Sequence, residues 1–161
     1  MKTLLLPIDF SDVTEPAVRV AEVLAEAFSA RVTLLHVLSR DPSGMVWTTG
    51  IVRQDPQHEQ DQDELTRLVG RLADQGIDVE SLLVEGPPAR AILRAIESLD
   101  ADLVIMGTHG HGAVYDLLMG SVSEEVMRKS PRPVLMVPSP RKMDPPARSS
   151  RVDEAPTPAD A

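Results

Sequence analysis

The sequence predicts an α/β protein, a five-stranded parallel sheet with helices on both faces. Three observations carry this. Short apolar runs alternate with segments of helical periodicity in the order β-α-β-α-β-α-β-α-β. The runs Leu4-Leu5-Leu6, Val32-Thr33-Leu34-Leu35 and Leu103-Val104-Ile105-Met106 are continuous rather than alternating, the pattern of strands covered on both sides. Glycine, proline and aspartate cluster between the segments, at 9–12, 86–88 and 107–112.

Thr3 to Ile8 reads as the first strand, closed by the turn Asp9-Phe10-Ser11-Asp12. A helix is expected from Thr14 to Ser29, with Ala17, Ala21, Leu24, Ala25 and Phe28 on one face; Pro16 is tolerated in its first turn. Asp12 stands where a helix cap is expected. Arg31 to Leu38 is the second strand. Ser39 to Gln57 contains Pro42, Gly44, Gly50 and Pro56 without a clean period and reads as a long loop. The helix His58–Gln75 places Leu65, Leu68, Val69 and Leu72 inward. Its acidic start, Glu59, Asp61, Asp63 and Glu64, reads as a solvated helix terminus favoured by the dipole. Asp78–Val84 is the third strand. Pro87 and Pro88 open a helix to Leu99, with Ala89, Ile92, Leu93 and Ile96 inward. Asp102–Met106 is the fourth strand, Ser121–Lys129 a helix and Pro133–Val137 the fifth strand. Residues 139–161 contain five prolines, no Leu, Ile or aromatic residue and four charges of each sign, and read as a disordered tail after a domain spanning 1–138.

The 161 residues are 42% apolar and 25% charged, enough for a packed core. No apolar run approaches the ~18 residues of a membrane span, and the N-terminus is too short and polar for a secretory signal, so a cytoplasmic protein without a membrane partner is expected. Without cysteine there is neither a disulfide nor a thiolate ligand. The net charge of −9 repels nucleic-acid backbones. Aromatics, only Phe10, Phe28, Trp47 and Tyr115, give no stacking platform for single strands.

Ligands of such sheets bind beyond the carboxyl ends of the strands, where strand order reverses. Two strand ends stand out. One is Pro7-Ile8-Asp9-Phe10-Ser11-Asp12. The other is Gly107-Thr108-His109-Gly110-His111-Gly112, followed by Gly120-Ser121-Val122-Ser123 at a helix start. Glycines let backbone approach a ligand, and free amides at a helix start attract an anion. The plainer alternative is a Gly-rich turn with a serine-capped helix. Neither the P-loop pattern nor the dinucleotide fingerprint is present.

Gly107-x2-Gly110-x9-Gly120-Ser121 resembles, spacing for spacing, the G-x2-G-x9-G-[ST] motif of the ATP-binding branch of the universal stress protein family. Ile8-Asp9-Phe10-Ser11, Leu35-His36-Val37, Gly86-Pro87-Pro88-Ala89 and Pro131–Val137 resemble further signatures of that family, over residues 1–138. The resemblance implies an adenine nucleotide alpha hydrolase-like fold with strand order 3-2-1-4-5 and its switch point between strands one and four. It implies ATP, or another adenine nucleotide, with Asp9 and Val37 at the base and Pro7 and Gly107 beside the ribose. Gly110, Gly120, Ser121, Val122 and Ser123 would cradle the phosphates, and Ser11, Met106, Thr108 and His111 would complete the site. A Mg or Mn ion would be held by the phosphates rather than by protein ligands. A homodimer through Val134–Val137 is expected.

His109 and His111 lack an obvious third ligand, so a role for His111 near the phosphates is preferred to metal binding. His36 is expected near the ligand or as an interior contact, and Trp47 as a local anchor or lid contact rather than a base-stacking residue. The main functional expectation is a nucleotide-responsive regulatory protein of the stress response. A slow ATPase or phosphotransfer enzyme is the alternative, disfavoured because no Lys, Arg or clear general base lies near the glycine loop. A protein-interaction module without nucleotide dependence is the third reading.

Overall fold

The computed structural model of the chain describes residues 1–38, 56–108 and 119–139. The expected loop from Ser39 lies outside them up to residue 55. So do Trp47, His109, Gly110, His111 and the tail from residue 140 onward. The order is β1 (Thr3–Ile8), α1 (Thr14–Phe28), β2 (Arg31–Leu38), α2 (Pro56–Asp74), β3 (Val79–Glu85), α3 (Pro88–Ser98), β4 (Leu103–Gly107), α4 (Ser121–Lys129) and β5 (Val134–Val137). All strand pairs are parallel, and the sheet order is β3-β2-β1-β4-β5.

The continuous apolar strands follow from this layering. Leu4, Leu5 and Leu6 are all fully buried. Leu4 and Leu6 enter one core with α1 and α2, and Leu5 enters the other with α3 and α4. Leu34 and Leu35 divide in the same way. A strand clothed on both faces has no solvent side on which to place polar residues.

Three helices end alike. After α1, α2 and α3 the chain passes through a left-handed residue, Ser29 (φ 49°), Gly76 (φ 82°) and Asp100 (φ 47°). The next amide then reaches back five residues: Ala30 to Ala25, Ile77 to Leu72 and Ala101 to Ile96. This closure satisfies terminal carbonyls and favours glycine at the left-handed position, because a Cβ there meets the following carbonyl. Ser29→Gly is therefore expected to raise stability by about 0.5–1 kcal/mol, read as a higher urea midpoint at unchanged slope.

Some boundaries depart from expectation. Helix α2 starts at Pro56, within the expected loop, since proline suits a first helical turn. Asp12 does not cap α1. Val13 stands at the cap position without a side-chain bond, and the Thr14 amide goes to the Ser11 carbonyl instead. Phe28 is 52% exposed rather than inward. It lies in the last turn, beyond which Ala30 folds back onto the core. Asp102 precedes β4 and ties it to the N-terminus by accepting the backbone amides of Lys2 and Thr3. These two bonds, Lys2 first, hold its carboxyl below the usual carboxylate range. A lowered carboxylate contributes stability above its unfolded value and loses it as pH falls through the folded one. Asp102→Asn is thus expected to flatten the acid limb of a stability–pH profile and leave its shape near neutrality unchanged.

Candidate nucleotide site at the β1–β4 switch point

The chain leaves β1 toward β2 through α1, and reaches β4 on the other side of β1 through α3. The switch point lies between β1 and β4, as expected from the sequence. Strand β1 matches β2 along its whole length, to Ile8 opposite His36. It matches β4 only at Leu4 with Leu103 and Leu5 with Val104. Beyond that point β4 follows β5 to Gly107 opposite Val137, and the Thr108 amide still donates to the Val137 carbonyl at 2.9 Å. The two central strands therefore keep different neighbours at their carboxyl ends. Pro7, which has no N–H for a ladder, falls past the last residue matched to β4.

On the β1 side, Phe10 adopts a left-handed backbone (φ 57°), an unfavourable state for an aromatic residue, and it turns the chain sharply. The turn is held from both sides. The Ser11 amide and hydroxyl both donate to Asp9 Oδ1, at 3.2 and 2.6 Å. The Phe10 ring lies against the His36 ring, with centroids 4.7 Å apart.

His36 is buried, with Nδ1 2.9 Å from the Ile8 carbonyl oxygen and Nε2 3.3 Å from Asp61 Oδ2. Asp61 itself is buried, unlike Glu59, Asp63 and Glu64, so the acidic start of α2 is not wholly a solvated face. The signal was present in the spacing: Asp61 extends the inward stripe Leu65, Leu68 and Leu72 by one turn.

On the β4 side, Met106 is buried and Gly107 and Thr108 are half-buried. Val37, Met106 and Val122 share the layer of α3 and α4. Helix α4 is preceded by Gly120 at the cap position, where the backbone is extended (φ −71°, ψ 150°) and there is no side-chain cap. The Gly120 amide donates to the Thr108 carbonyl at 2.8 Å, bringing both ends of the glycine loop together. The first intrahelical bond is Glu124 to Gly120. The amides of Ser121, Val122 and Ser123 thus have no acceptor among the described residues, as helix geometry requires of a first turn. The Ser123 hydroxyl donates to the Gly107 carbonyl at 2.8 Å and fastens α4 to the end of β4.

Ser123 is 6% exposed, and its removal leaves a half-buried carbonyl without that donor. Ser123→Ala is expected to lower stability by about 1–3 kcal/mol, measured by denaturant unfolding.

The structure therefore brings Pro7, Asp9 and Ser11 to one side of the switch point and Met106, Gly107 and Thr108 to the other. Gly120, Ser121, Val122 and Ser123 stand at the start of α4, bonded to the end of β4, and Val37 near the end of β2. No group of three or more His, Asp or Glu that could hold a metal occurs among the described residues. No helix among them is long and apolar enough to cross a membrane.

A family model described as "Universal stress protein family" matches residues 1–138. The Thermus aquaticus universal stress protein in the QAH/OAS sulfhydrylase 3' region is 36% identical over 139 residues, covering 84% of this chain and 98% of its own. Universal stress protein MJ0577 of Methanocaldococcus jannaschii is 30% identical over 152 residues, covering 84% of this chain and 94% of that protein. The solved structure of MJ0577 matches with a TM-score of 0.72 at 27% identity, over 89% of this chain and 98% of that one. A universal stress protein solved in complex with cAMP matches with a TM-score of 0.66 at 25% identity, over 86% and 98% of the two chains. Fold, strand order and sequence agree, and the chain belongs to the universal stress protein family.

Proposed function

We propose that this chain binds an adenine nucleotide, ATP foremost, between the ends of β1 and β4, and responds to it as a regulatory protein of the stress response. The observation that carries the reading is the first turn of α4. Three amides without acceptors among the described residues stand at the start of α4, which Gly120 and Ser123 bond to Thr108 and Gly107 at the end of β4. Such a terminus suits a polyphosphate without any lysine. A relative of the same fold has been solved with cAMP, which supports an adenine ligand.

In this reading Asp9 and Val37 meet the base, and Pro7 and Gly107 flank the ribose. Ser11 acts through Asp9, whose carboxylate it orients. Ser121, Val122 and Ser123 supply amides to the phosphates, joined by Gly110 and His111. Gly120 gives close approach rather than a donor, since its amide is already used. Met106 and Thr108 line the β4 side. A Mg or Mn ion rides on the phosphates.

Regulation is favoured over turnover because phosphoryl transfer needs charge placed against the transition state, and the glycine segment brings neither Lys nor Arg. The same reading gives a cytoplasmic homodimer through β5. That edge strand is uncharged and exposes Leu135, whereas the opposite edge, β3, carries Glu80 and Glu85.

Calorimetric titration with ATP, ADP, AMP and cAMP tests the binding, and phosphate release at constant specific activity tests turnover. ATP is expected to bind more tightly than AMP, with no sustained hydrolysis. An absence of heat at millimolar ATP would remove the nucleotide reading and leave the interaction module.

A further inference from the structure

His36 belongs to no ligand-contact role above, yet it is tied at both ring nitrogens. A carbonyl oxygen only accepts, so Nδ1, 2.9 Å from the Ile8 oxygen, carries a hydrogen. On the far edge of the ring Nε2 stands 3.3 Å from Asp61 Oδ2, within ion-pair distance of the carboxylate. The ring thus joins the end of β1, the end of β2 and α2. Phe10 closes over it.

The Ile8 carbonyl is half of the Ile8–Asp9 peptide, the last of β1 before the left-handed turn at Phe10. Fixing that carbonyl fixes the plane from which the Asp9 side chain departs.

We infer that His36 is a positioning residue for the nucleotide site: its Nδ1–H, facing the Ile8 carbonyl, sets the Ile8–Asp9 peptide, and Asp61 anchors the far edge of the ring. This rests on the nucleotide reading above and extends it to a residue pair outside the ligand's contacts. The arrangement resembles the way metal sites orient a histidine through its second nitrogen, here used on a backbone carbonyl.

Two substitutions separate the two nitrogens. In His36→Asn the amide nitrogen stands as many bonds from the backbone as Nδ1, so it still donates to Ile8 but no longer reaches Asp61. In His36→Gln the amide nitrogen reaches the Nε2 position, so it still meets Asp61 but no longer donates to Ile8. The full chain is titrated with Mg-ATP by calorimetry, with thermal melts to confirm that each variant is folded. His36→Gln is expected to weaken binding roughly five- to ten-fold, and His36→Asn less than about three-fold, the span of one neutral hydrogen bond. Nitrogen NMR of the unaltered chain is expected to show a protonated Nδ1 with and without ATP. A merely space-filling histidine would make the two variants equal.

Equal weakening by Asn and Gln, or an unprotonated Nδ1, would overturn the positioning role while leaving ATP binding by the unaltered chain intact. No binding by the unaltered chain would overturn the site reading, and this role with it. If both variants fail to fold, Asp61→Ala replaces them. It frees the Nε2 edge of the ring and is expected to weaken Mg-ATP binding about three- to ten-fold; unchanged binding in a folded variant would overturn the role.

Discussion

Ser121→Pro will weaken ATP binding about ten- to a hundred-fold and leave the fold nearly unchanged. The residue is the first of α4, where proline's missing N–H interrupts no intrahelical bond and its fixed φ suits the helix. The residue before a proline must be extended, and Gly120 already is, at φ −71° and ψ 150°. The side chain of Ser121 is exposed and holds no partner among the described residues, so little packing is disturbed. What disappears is one backbone donor and one hydroxyl facing a polyanion. A hydrogen bond to a charged group contributes roughly 1.5–3 kcal/mol, about one to two decades of affinity. Calorimetry reads the affinity and a thermal melt reads the fold. Unchanged affinity for ATP in a folded variant would place the phosphates elsewhere.

The second large effect falls on stability. Leu34 and Leu35 are adjacent in β2, both fully buried, and they point to opposite layers. Truncating either to Ala opens a cavity in a different core, and each is expected to remove about 2.7–5 kcal/mol. That is a large share of the roughly 5–15 kcal/mol that holds a domain folded. The two reductions will be similar in urea unfolding, because both side chains are buried to the same degree on their own faces of the sheet. A small reduction at one of them would mean that its helical layer is loosely packed.

The sheet was legible because its physics is local. A strand such as Leu4-Leu5-Leu6 has no polar face, and that alone requires helices on both sides. The helix starts at Pro88 and Ser121 were equally plain, since proline and glycine mark them. What was not legible depends on contacts distant in sequence. The hydroxyl of Ser123 is spent on the carbonyl of Gly107, sixteen residues earlier, a contact that no local pattern announces. Asp61 sat in a run of acids; its spacing continues the inward stripe of α2, but its partner His36 lies on another element, and only the packing of α2 on β2 shows that pairing. Asp12 had the right type for a cap, but the tight turn around Asp9 and Ser11 moved the helix start past it. The strand order came from the family resemblance, since the alternation of elements fixes a parallel sheet without fixing which strands are neighbours.

Every role proposed for the switch point depends on the open amides of the α4 first turn receiving the phosphates of ATP. Amide NMR of the full chain during an ATP titration observes those groups themselves. The Ser121, Val122 and Ser123 signals are expected to move in proportion to bound ATP, and to move much less with adenosine, which lacks the anion. Saturable ATP binding that leaves those three signals in place would contradict the assignment.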